Sequence, residues 1–274
     1  MSLLFDLPGR IAPYGVTAPI AQAGLRSLLL VHGGGVLDAV SGKLDQSSFG
    51  TLPSQLPGLD GGGRTVVGRR NPANTGGLIW YGSGAVLAPQ NYTRVVVARV
   101  ESSGVTDYAG LAAIADSSGA TNYWSFQGDN TARAAIWHGG ANGNIALWSD
   151  LANGRYQTFV FRSANSSTVE FWLDGVKQTS LATGAAPSSP PTDARAVFGG
   201  ERSASTSYAA PCSIVALGTF DGLLSDARCA ALSIDWRGLL APRRIELPEP
   251  SVAAPFLARQ PPRLNQAVRR SSVW

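Results

Sequence analysis

Alternating hydrophobic and polar positions define the clearest element of the chain, a predicted β-hairpin over residues 156–178. Two β-rich runs flank the small polar residues 163–167, a composition typical of a turn. Pairing Arg162 with Thr168 gives the expected register, and side chains then alternate between the two faces of the strands. The wholly apolar face comprises Phe159, Phe161, Val169, Phe171 and Leu173. Such a face predicts a sheet that packs on a second sheet.

The opposite face of this hairpin mixes polar, charged and aromatic residues and is the candidate ligand face. It carries Thr158, Arg162, Glu170 and Trp172. Sugar rings stack on exposed tryptophans that have polar groups alongside, and a partner protein would cover such a face equally well. We therefore predict a glycan or protein contact centred on an exposed Trp172. Asp174-Gly175 then supplies a second turn.

Outside the hairpin, the sequence contains further short β-rich runs, and the last four of them recur at a spacing of roughly ten residues. They cover residues 25–31, 77–81, 93–100, 111–115, 122–127, 133–138 and 145–149. Glycine, asparagine and aspartate fall between many of them, which indicates an all-β sandwich or barrel rather than a βαβ fold. One short helix is predicted over 225–233, with Ser225 as its N-cap. The predicted organisation is an N-terminal arm (1–24), a β-sandwich (25–236) and a C-terminal tail (237–274).

The C-terminal tail differs from the body in charge and in proline content. Seven arginines and two glutamates give residues 237–274 a net charge of +5, so residues 1–236 sum to −1 within the total of +4. The body therefore lacks the basic excess typical of nucleic-acid binding, and no nucleic-acid partner is expected. Six prolines between positions 242 and 262 prevent the tail from pairing inside a sheet.

Both ends of the chain are expected to bind neighbouring subunits. The N-terminal arm is rich in proline and glycine, but its leucines and Phe5 are too apolar for a free segment. The tail is predicted to order on a partner, with apolar side chains in pockets and arginines paired with acidic groups. The tail residues expected to make this contact are Arg243, Arg244, Phe256, Arg269, Arg270 and Trp274.

Several motifs resemble, in the same order, those of concanavalin A-like or laminin-G-like jelly rolls. The run Phe171-Trp-Leu-Asp-Gly-Val176 is similar to that family's tyrosine–valine–aspartate–glycine strand end. Residues 91–100, 196–200 and 213–228 resemble its early core strand, its isoleucine-glycine-glycine strand and its closing strand with a leucine-serine-aspartate turn. The resemblance covers residues 60–236. It implies a jelly-roll sandwich of two antiparallel sheets.

The two ends of the chain resemble virion proteins of tailed bacteriophages and prophages. Trp236 and the following Leu239-Leu-Ala-Pro-Arg-Arg-Ile245 are similar to the closing motif of that group, and Leu3-Leu-Phe-Asp-Leu-Pro-Gly9 is similar to its openings. The resemblance implies a virion structural protein, made in the host cytoplasm and oligomeric in the particle, which binds other virion proteins through its arm and tail. The expected role is a tail-tip, baseplate or fibre-associated module that contacts a host-surface glycan. The alternative is a capsid or tail decoration protein.

Two patterns suggest catalysis, and both are incomplete. His32-Gly-Gly-Gly35 after a strand matches the oxyanion-hole motif of α/β-hydrolases, but the Gly-x-Ser-x-Gly elbow of that fold is missing from the sequence. A glucanase needs two carboxylates that flank a sugar bond. Glu170 and Asp174 come nearest to such a pair, but Asp174 belongs to a predicted turn. The chain is therefore expected not to be an enzyme, and a glucanase-like hydrolase is the third alternative.

The sequence gives only weak indications of a metal site, a disulfide or a membrane segment. Many laminin-G-like domains bind calcium through aspartates on the rim, and Asp116, Asp129 and Asp150 lie in predicted loops. The other explanation is that these aspartates cap turns, and no cofactor is otherwise expected. Cys212 and Cys229 are predicted to be buried free thiols, with a disulfide between them as the alternative. No apolar run approaches the ~20 residues of a membrane helix, and the N-terminus lacks the features of a signal peptide.

Overall fold

The chain folds into two antiparallel β-sheets in a computed structural model. The structure describes residues 5–6, 10–11, 23–32, 35–50, 76–100, 109–120, 122–128, 134–138, 141–144, 156–164, 168–178, 181–182, 191–200, 203–204 and 212–236. Most of the predicted arm, all of the predicted tail and the predicted strand over 145–149 therefore lie outside the described residues.

The described residues form short strands and two helices. The strands are β1 (Phe5–Asp6), β2 (Arg10–Ile11), β3 (Leu25–His32), β4 (Gly35–Asp38), β5 (Leu44–Asp45), β6 (Ser47–Gly50), β7 (Gly76–Ser83), β8 (Asn91–Val100), β9 (Ala109–Asp116), β10 (Asn122–Gly128), β11 (Ala134–His138), β12 (Ala141–Asn144), β13 (Tyr156–Ala164), β14 (Thr168–Leu173), β15 (Val176–Lys177), β16 (Leu181–Ala182), β17 (Asp193–Phe198) and β18 (Cys212–Asp221). The helices are α1 (Gly84–Leu87) and α2 (Asp226–Ile234). Neither helix has the length or apolar character needed to cross a membrane.

The sheet order brings distant parts of the chain side by side. A seven-stranded sheet has the order β12-β11-β10-β9-β17-β7-β6. A nine-stranded sheet has the order β15-β14-β13-β8-β18-β3-β4-β5, with β16 paired to β14 beside β15. Among the described strands, β1 and β2 form a separate two-stranded pair. These crossovers between non-consecutive strands confirm the all-β sandwich of two antiparallel sheets that the sequence predicts.

The β13–β14 hairpin has the predicted faces but a different register. Arg162 pairs with Glu170, and Phe161 pairs with Phe171, whereas the sequence-based register paired Arg162 with Thr168. The shift is two residues, so that seven residues instead of the predicted five lie between Arg162 and its partner on β14. A shift of two keeps every side chain on its predicted face, since the side-chain repeat of a strand is two residues. The second turn is confirmed, with positive φ at Asp174 and Gly175.

The main core lies between the two sheets. All five residues of the predicted apolar face belong to it and are buried. Phe126 of the seven-stranded sheet meets Phe159 and Phe161 of the nine-stranded sheet, with ring centroids 4.9 and 5.1 Å apart. Trp80 and Trp124 also contribute to this core. Aromatic contacts across the sheets therefore hold the sandwich together.

The structure adds elements that the sequence pattern did not reveal. Residues 35–50 contain β4, β5 and β6, and none of the predicted β-rich runs covers them. His32 pairs with Gly35 across the β3–β4 connection, so the His-Gly-Gly-Gly run joins two antiparallel strands. An oxyanion-hole motif would instead lead from a strand toward the helices of an α/β fold. This glycine run is therefore a hairpin connection, as the missing elbow indicated.

Candidate functional site

The predicted ligand face of the hairpin is covered by helix α2. Trp172 is only 1% exposed, and it packs with Val160, Cys229 and Leu232 in a second apolar cluster on the outer side of the nine-stranded sheet. Thr158 is also buried, two residues along β13 from Val160. The prediction that Trp172 is an exposed stacking platform is therefore wrong. Trp172 is buried by a tertiary contact: α2 lies some fifty residues later in the chain and packs back onto this face.

Four charged side chains fasten α2 to the hairpin. Arg162 Nε donates to Glu170 Oε2 at 2.6 Å, and Arg162 Nη2 donates to Asp226 Oδ1 at 2.6 Å. Lys177 Nζ bonds Glu170 Oε1 and lies 3.4 Å from Asp226 Oδ2. Each cation thus contacts both carboxylates, and Asp226 belongs to the first turn of α2. We call these four residues the α2 clamp.

The clamp encloses the indole ring of Trp172. The Arg162 guanidinium carbon lies 4.7 Å from the ring centroid, and Lys177 Nζ lies 5.0 Å from it. Cations over an aromatic face are attracted by the ring quadrupole, and the attraction grows when the pair is shielded from water. The predicted residues Arg162, Glu170 and Trp172 therefore do come together, but as an internal contact rather than an open site.

The electrostatics of the clamp keep all four groups charged near neutral pH. The hydrogen bond from Arg162 lowers the pKa of Glu170, and Lys177 contributes in the same direction. The same arginine lowers the pKa of Asp226. Glu170 in turn raises the pKa of Lys177. A carboxylate held in its ionised form with both oxygens engaged is poorly suited to protonate a leaving group.

The neighbouring Asp174 completes no carboxylate pair with Glu170. It occupies the β14–β15 turn with φ near 50° and is exposed, as predicted. Glu170 points instead into the clamp beneath α2. The pair that the sequence suggested for a glucanase is therefore not assembled on one face.

Sequence reasoning missed Lys177 and Asp226 as members of this site. Helix α2 begins where Ser225 was predicted to cap it, and the Ser225 hydroxyl accepts a hydrogen bond from Arg228 N at 3.2 Å. The other end of α2 contacts the hairpin, since Gly175 N donates to Ser233 Oγ at 2.9 Å. The apolar residues of α2 were the sequence feature that could have revealed its packing on the hairpin. A short helix with buried residues must cover some sheet face, and the mixed face of the hairpin was available.

Other predicted site residues are only partly described. Asp116 lies at the end of β9, where its Oδ1 accepts hydrogen bonds from Ser118 Oγ at 2.7 Å and Ala120 N at 3.0 Å. That is the turn-capping role considered as the alternative to calcium binding. Asp129, Asp150 and the six tail residues lie outside the described residues. Within the described part of the chain, no group of three or more potential metal ligands is found.

The two cysteines are buried free thiols, as predicted. Cys212 belongs to the inter-sheet core, whereas Cys229 lies on the inner face of α2 in the Trp172 cluster. The two residues are therefore on opposite sides of the nine-stranded sheet. Burial raises the pKa of the Cys229 thiol to about 11, which keeps it protonated and unreactive.

Comparison with solved structures identifies the fold. The chain resembles Trypanosoma rangeli sialidase in complex with sialic acid, at 15% identity and a TM-score of 0.57, over 81% of this chain and 34% of that one. The same sialidase with the inhibitor DANA matches at 12% identity and a TM-score of 0.55, over the same shares. The carbohydrate-binding module CBM40 of Ruminococcus gnavus IT-sialidase, bound to α2,3 sialyllactose, matches at 12% identity and a TM-score of 0.44, over 54% of this chain and 85% of that one. No family model matches the chain, and no curated protein does.

These likenesses contradict the expectation about enzymatic activity and confirm the expected fold. The expectation that the chain is not an enzyme is contradicted, because solved structures of sialidases, which are enzymes, share its fold. The missing glucanase signature therefore does not separate this chain from enzymes. The chain spans about a third of the length of the sialidases it matches. At these identities the likeness establishes the fold alone, a jelly-roll β-sandwich of two antiparallel sheets.

Proposed function

We propose that this chain is a structural protein of a tailed-bacteriophage particle, in which the sandwich is a rigid body and the segment after Trp236 binds a neighbouring virion protein. The observation that carries the proposal is the burial of Trp236. This residue opens the closing motif that resembles phage virion proteins, and it is only 4% exposed. It packs in the same cluster as Trp172 and Cys229.

The burial of Trp236 gives the tail a fixed starting point. The α2 clamp holds the beginning of the helix, and the Gly175–Ser233 hydrogen bond holds its end. Trp236 follows the helix by two residues. A segment that begins at a fixed position searches less space for its partner, which lowers the entropy lost on binding. The composition of residues 237–274 suits this role, since seven arginines and several apolar residues are available for an acidic, pocketed surface.

A tail truncation tests this proposal. A chain that ends at Arg237 keeps α2, the clamp and Trp236, so we expect it to melt at the same temperature as the full chain. Both chains are produced with an affinity tag in cells that make the particle, and purified particles are probed for the tag. We expect the full chain in the particles and the truncated chain to be absent from them.

Matched variants test separately whether the chain is a virion protein and whether its tail attaches it to the particle. A full-length chain with Arg243→Gln and Arg244→Gln is expected to be depleted from particles, whereas Arg26→Gln, which changes an exposed arginine on β3, is expected to be incorporated normally. Truncated chain present at full occupancy would rule out assembly through the tail. Absence of the full-length chain from particles would rule out the virion role itself.

A second candidate function is contact with a host-surface glycan. It is supported by the fold, which the chain shares with a sialidase whose structure holds sialic acid. Because Trp172 is buried, a glycan contact would require a surface other than the outer face of the hairpin. A protein that contacts a host-surface glycan would lie at the tail tip, baseplate or fibre, as expected from the sequence. A capsid or tail decoration protein would need only the assembly contacts. Binding of the full chain to host lipopolysaccharide, capsule or sialylated oligosaccharides on an array tests it, and no binding to any of them would leave the decoration role.

A further inference from the structure

A buried arginine lies inside the sandwich with no acidic partner. Arg94 is 1% exposed, and it lies on β8 between Tyr92 and Val96, whose side chains belong to the inter-sheet core. Strand alternation therefore directs the arginine inward. Its Nη2 donates to the carbonyl oxygen of Leu87 at 3.0 Å, but Nε and Nη1 make no hydrogen bond. Among the described residues, no carboxylate forms an ion pair with it.

Further unsatisfied polar groups occur around this arginine. Thr219 of β18 is the register partner of Arg94, and Ser27 of β3 is the register partner of Thr219. Both hydroxyls are fully buried, and both lack a hydrogen-bond partner. The indole Nε1 of Trp124, on the opposing sheet, is also buried and also lacks a hydrogen-bond partner. Register partners on adjacent strands lie about 5 Å apart, so one row of the inner face presents several unused polar atoms.

The aromatic rings hold the guanidinium in place. The guanidinium carbon of Arg94 lies 3.9 Å from the centroid of the Tyr92 ring and 4.9 Å from that of Trp124. Stacking on the ring faces uses none of the N–H groups. The Tyr92 hydroxyl lies near Arg94 and Trp124 and interacts electrostatically with both, but it completes no hydrogen bond to Arg94 Nε or Nη1 or to Trp124 Nε1. Burial raises the pKa of the Tyr92 phenol well above its usual range, so the phenol stays neutral and supplies no counter-charge. Burial lowers the pKa of Arg94 to about 10, which still leaves it charged at neutral pH.

Buried polar groups are almost always hydrogen-bonded, and a buried charge without a partner is strongly unfavourable. Here the unsatisfied atoms are the N–H donors of Arg94 and Trp124 and the two hydroxyls, which can also donate. A set of donors around a positive charge favours an anion over a cation. We propose that a small monovalent anion, a halide or a small carboxylate, binds inside the sandwich between Arg94, Thr219 and Trp124, with Ser27 completing its polar surroundings.

Helix α1 packs near the site. Arg94 is the fourth residue of β8, and Trp124 is the third residue of β10, so both lie in the first half of their strands. Helix α1, which supplies the Leu87 carbonyl, packs against β3 and β18. Because Ser27, Arg94, Trp124 and Thr219 are all buried, a small ion reaches them only through a local opening of the sandwich.

Halide exchange tests the proposal on the full chain. Crystals soaked in sodium bromide are expected to show an anomalous peak within hydrogen-bonding distance of Arg94 and Trp124 Nε1. In solution, urea unfolding is measured at constant ionic strength while gluconate, which is too large for the site, is replaced by chloride, bromide or formate. Above the dissociation constant, each tenfold rise in the concentration of the anion that binds should raise the folding equilibrium constant by about tenfold. A response to formate alone would identify a carboxylate site.

Two variants keep the test decisive if one of them fails to fold. Thr219→Val removes one donor at nearly constant volume and should weaken the anion dependence by at least severalfold. Arg94→Met should abolish that dependence. The exposed Arg26→Met is the control for loss of a positive charge and should behave as wild type. A site that contains only water, together with equal anion dependence in the wild type and in Thr219→Val, would overturn the proposal.

Discussion

The guanidinium of Arg162 lies over the ring of Trp172, with its central carbon 4.7 Å from the ring centroid, and the same guanidinium bonds Glu170 and Asp226. One side chain thereby joins the outer face of the hairpin to the first turn of α2. Trp172 is buried because this contact and the apolar side of α2 cover it together. The residues expected to bind a ligand are instead the ones that attach the helix.

Replacing Trp172 tests whether it is part of the core. Trp172→Ala removes a buried aromatic ring and its two cation contacts, and we expect a loss of about 3–5 kcal/mol in unfolding free energy. For a domain of this size the loss corresponds to a fall in Tm of roughly 6–20 °C. Thermal unfolding followed by circular dichroism measures it. Val176→Ala, at a site 60% exposed, is the control, and a Trp172→Ala chain that melts like this control would show that the ring is not buried.

The clamp predicts a pH dependence of stability. Folding lowers the pKa of Glu170 below its ordinary value of 4.5, mainly through the hydrogen bond from Arg162. A lowered carboxyl pKa contributes stability that is complete above the unfolded pKa and is lost as the pH falls through the folded value. We therefore expect the urea midpoint of the wild type to decrease below about pH 4.5, and Glu170→Gln to show a shallower decrease. Parallel curves for the two proteins from pH 7 to pH 3 would contradict a stabilising role for this carboxylate.

The aromatic packing in the inter-sheet core predicts a large effect at Phe171. Its ring stacks on that of Phe161 with centroids 4.8 Å apart, and its side chain is fully buried. Phe171→Ala should cost about 3–5 kcal/mol, from lost burial and from the cavity that remains. Equilibrium urea unfolding gives the value. Phe171→Leu keeps much of the volume and should cost clearly less, and equal losses for the two variants would argue against a cavity effect.

The buried thiols predict slow chemical modification. Because burial raises the pKa of Cys229 to about 11 and Cys212 is fully enclosed, neither should react with a disulfide reagent at pH 8 in the native protein. Addition of denaturant should release two equivalents of thiol. A Cys212→Ser chain assigns the signal to Cys229. Rapid modification of the native wild type would mean that α2 opens readily from the sheet.

The sequence by itself determined the class of fold and the inward face of the hairpin. The period of two along residues 159–173 fixes which side chains face the core, and this result survived a register error of two residues for the same reason. Ser225 determined the start of α2, since a helix needs an acceptor for its first free N–H groups. These features depend on neighbouring residues, so a local pattern is sufficient to predict them.

The tertiary structure decided which element covers the opposite face of the hairpin and which groups surround Arg94. No local pattern states that α2 returns to cover Trp172, because that packing joins residues more than fifty positions apart and depends on the order of strands in the sheet. In the same way, Ser27, Arg94 and Thr219 are far apart in sequence, and only the crossovers between β3, β18 and β8 bring them into one row. Exposure and unmet hydrogen bonds are properties of the assembled sheets, and for that physical reason they could not be inferred from alternation along single strands.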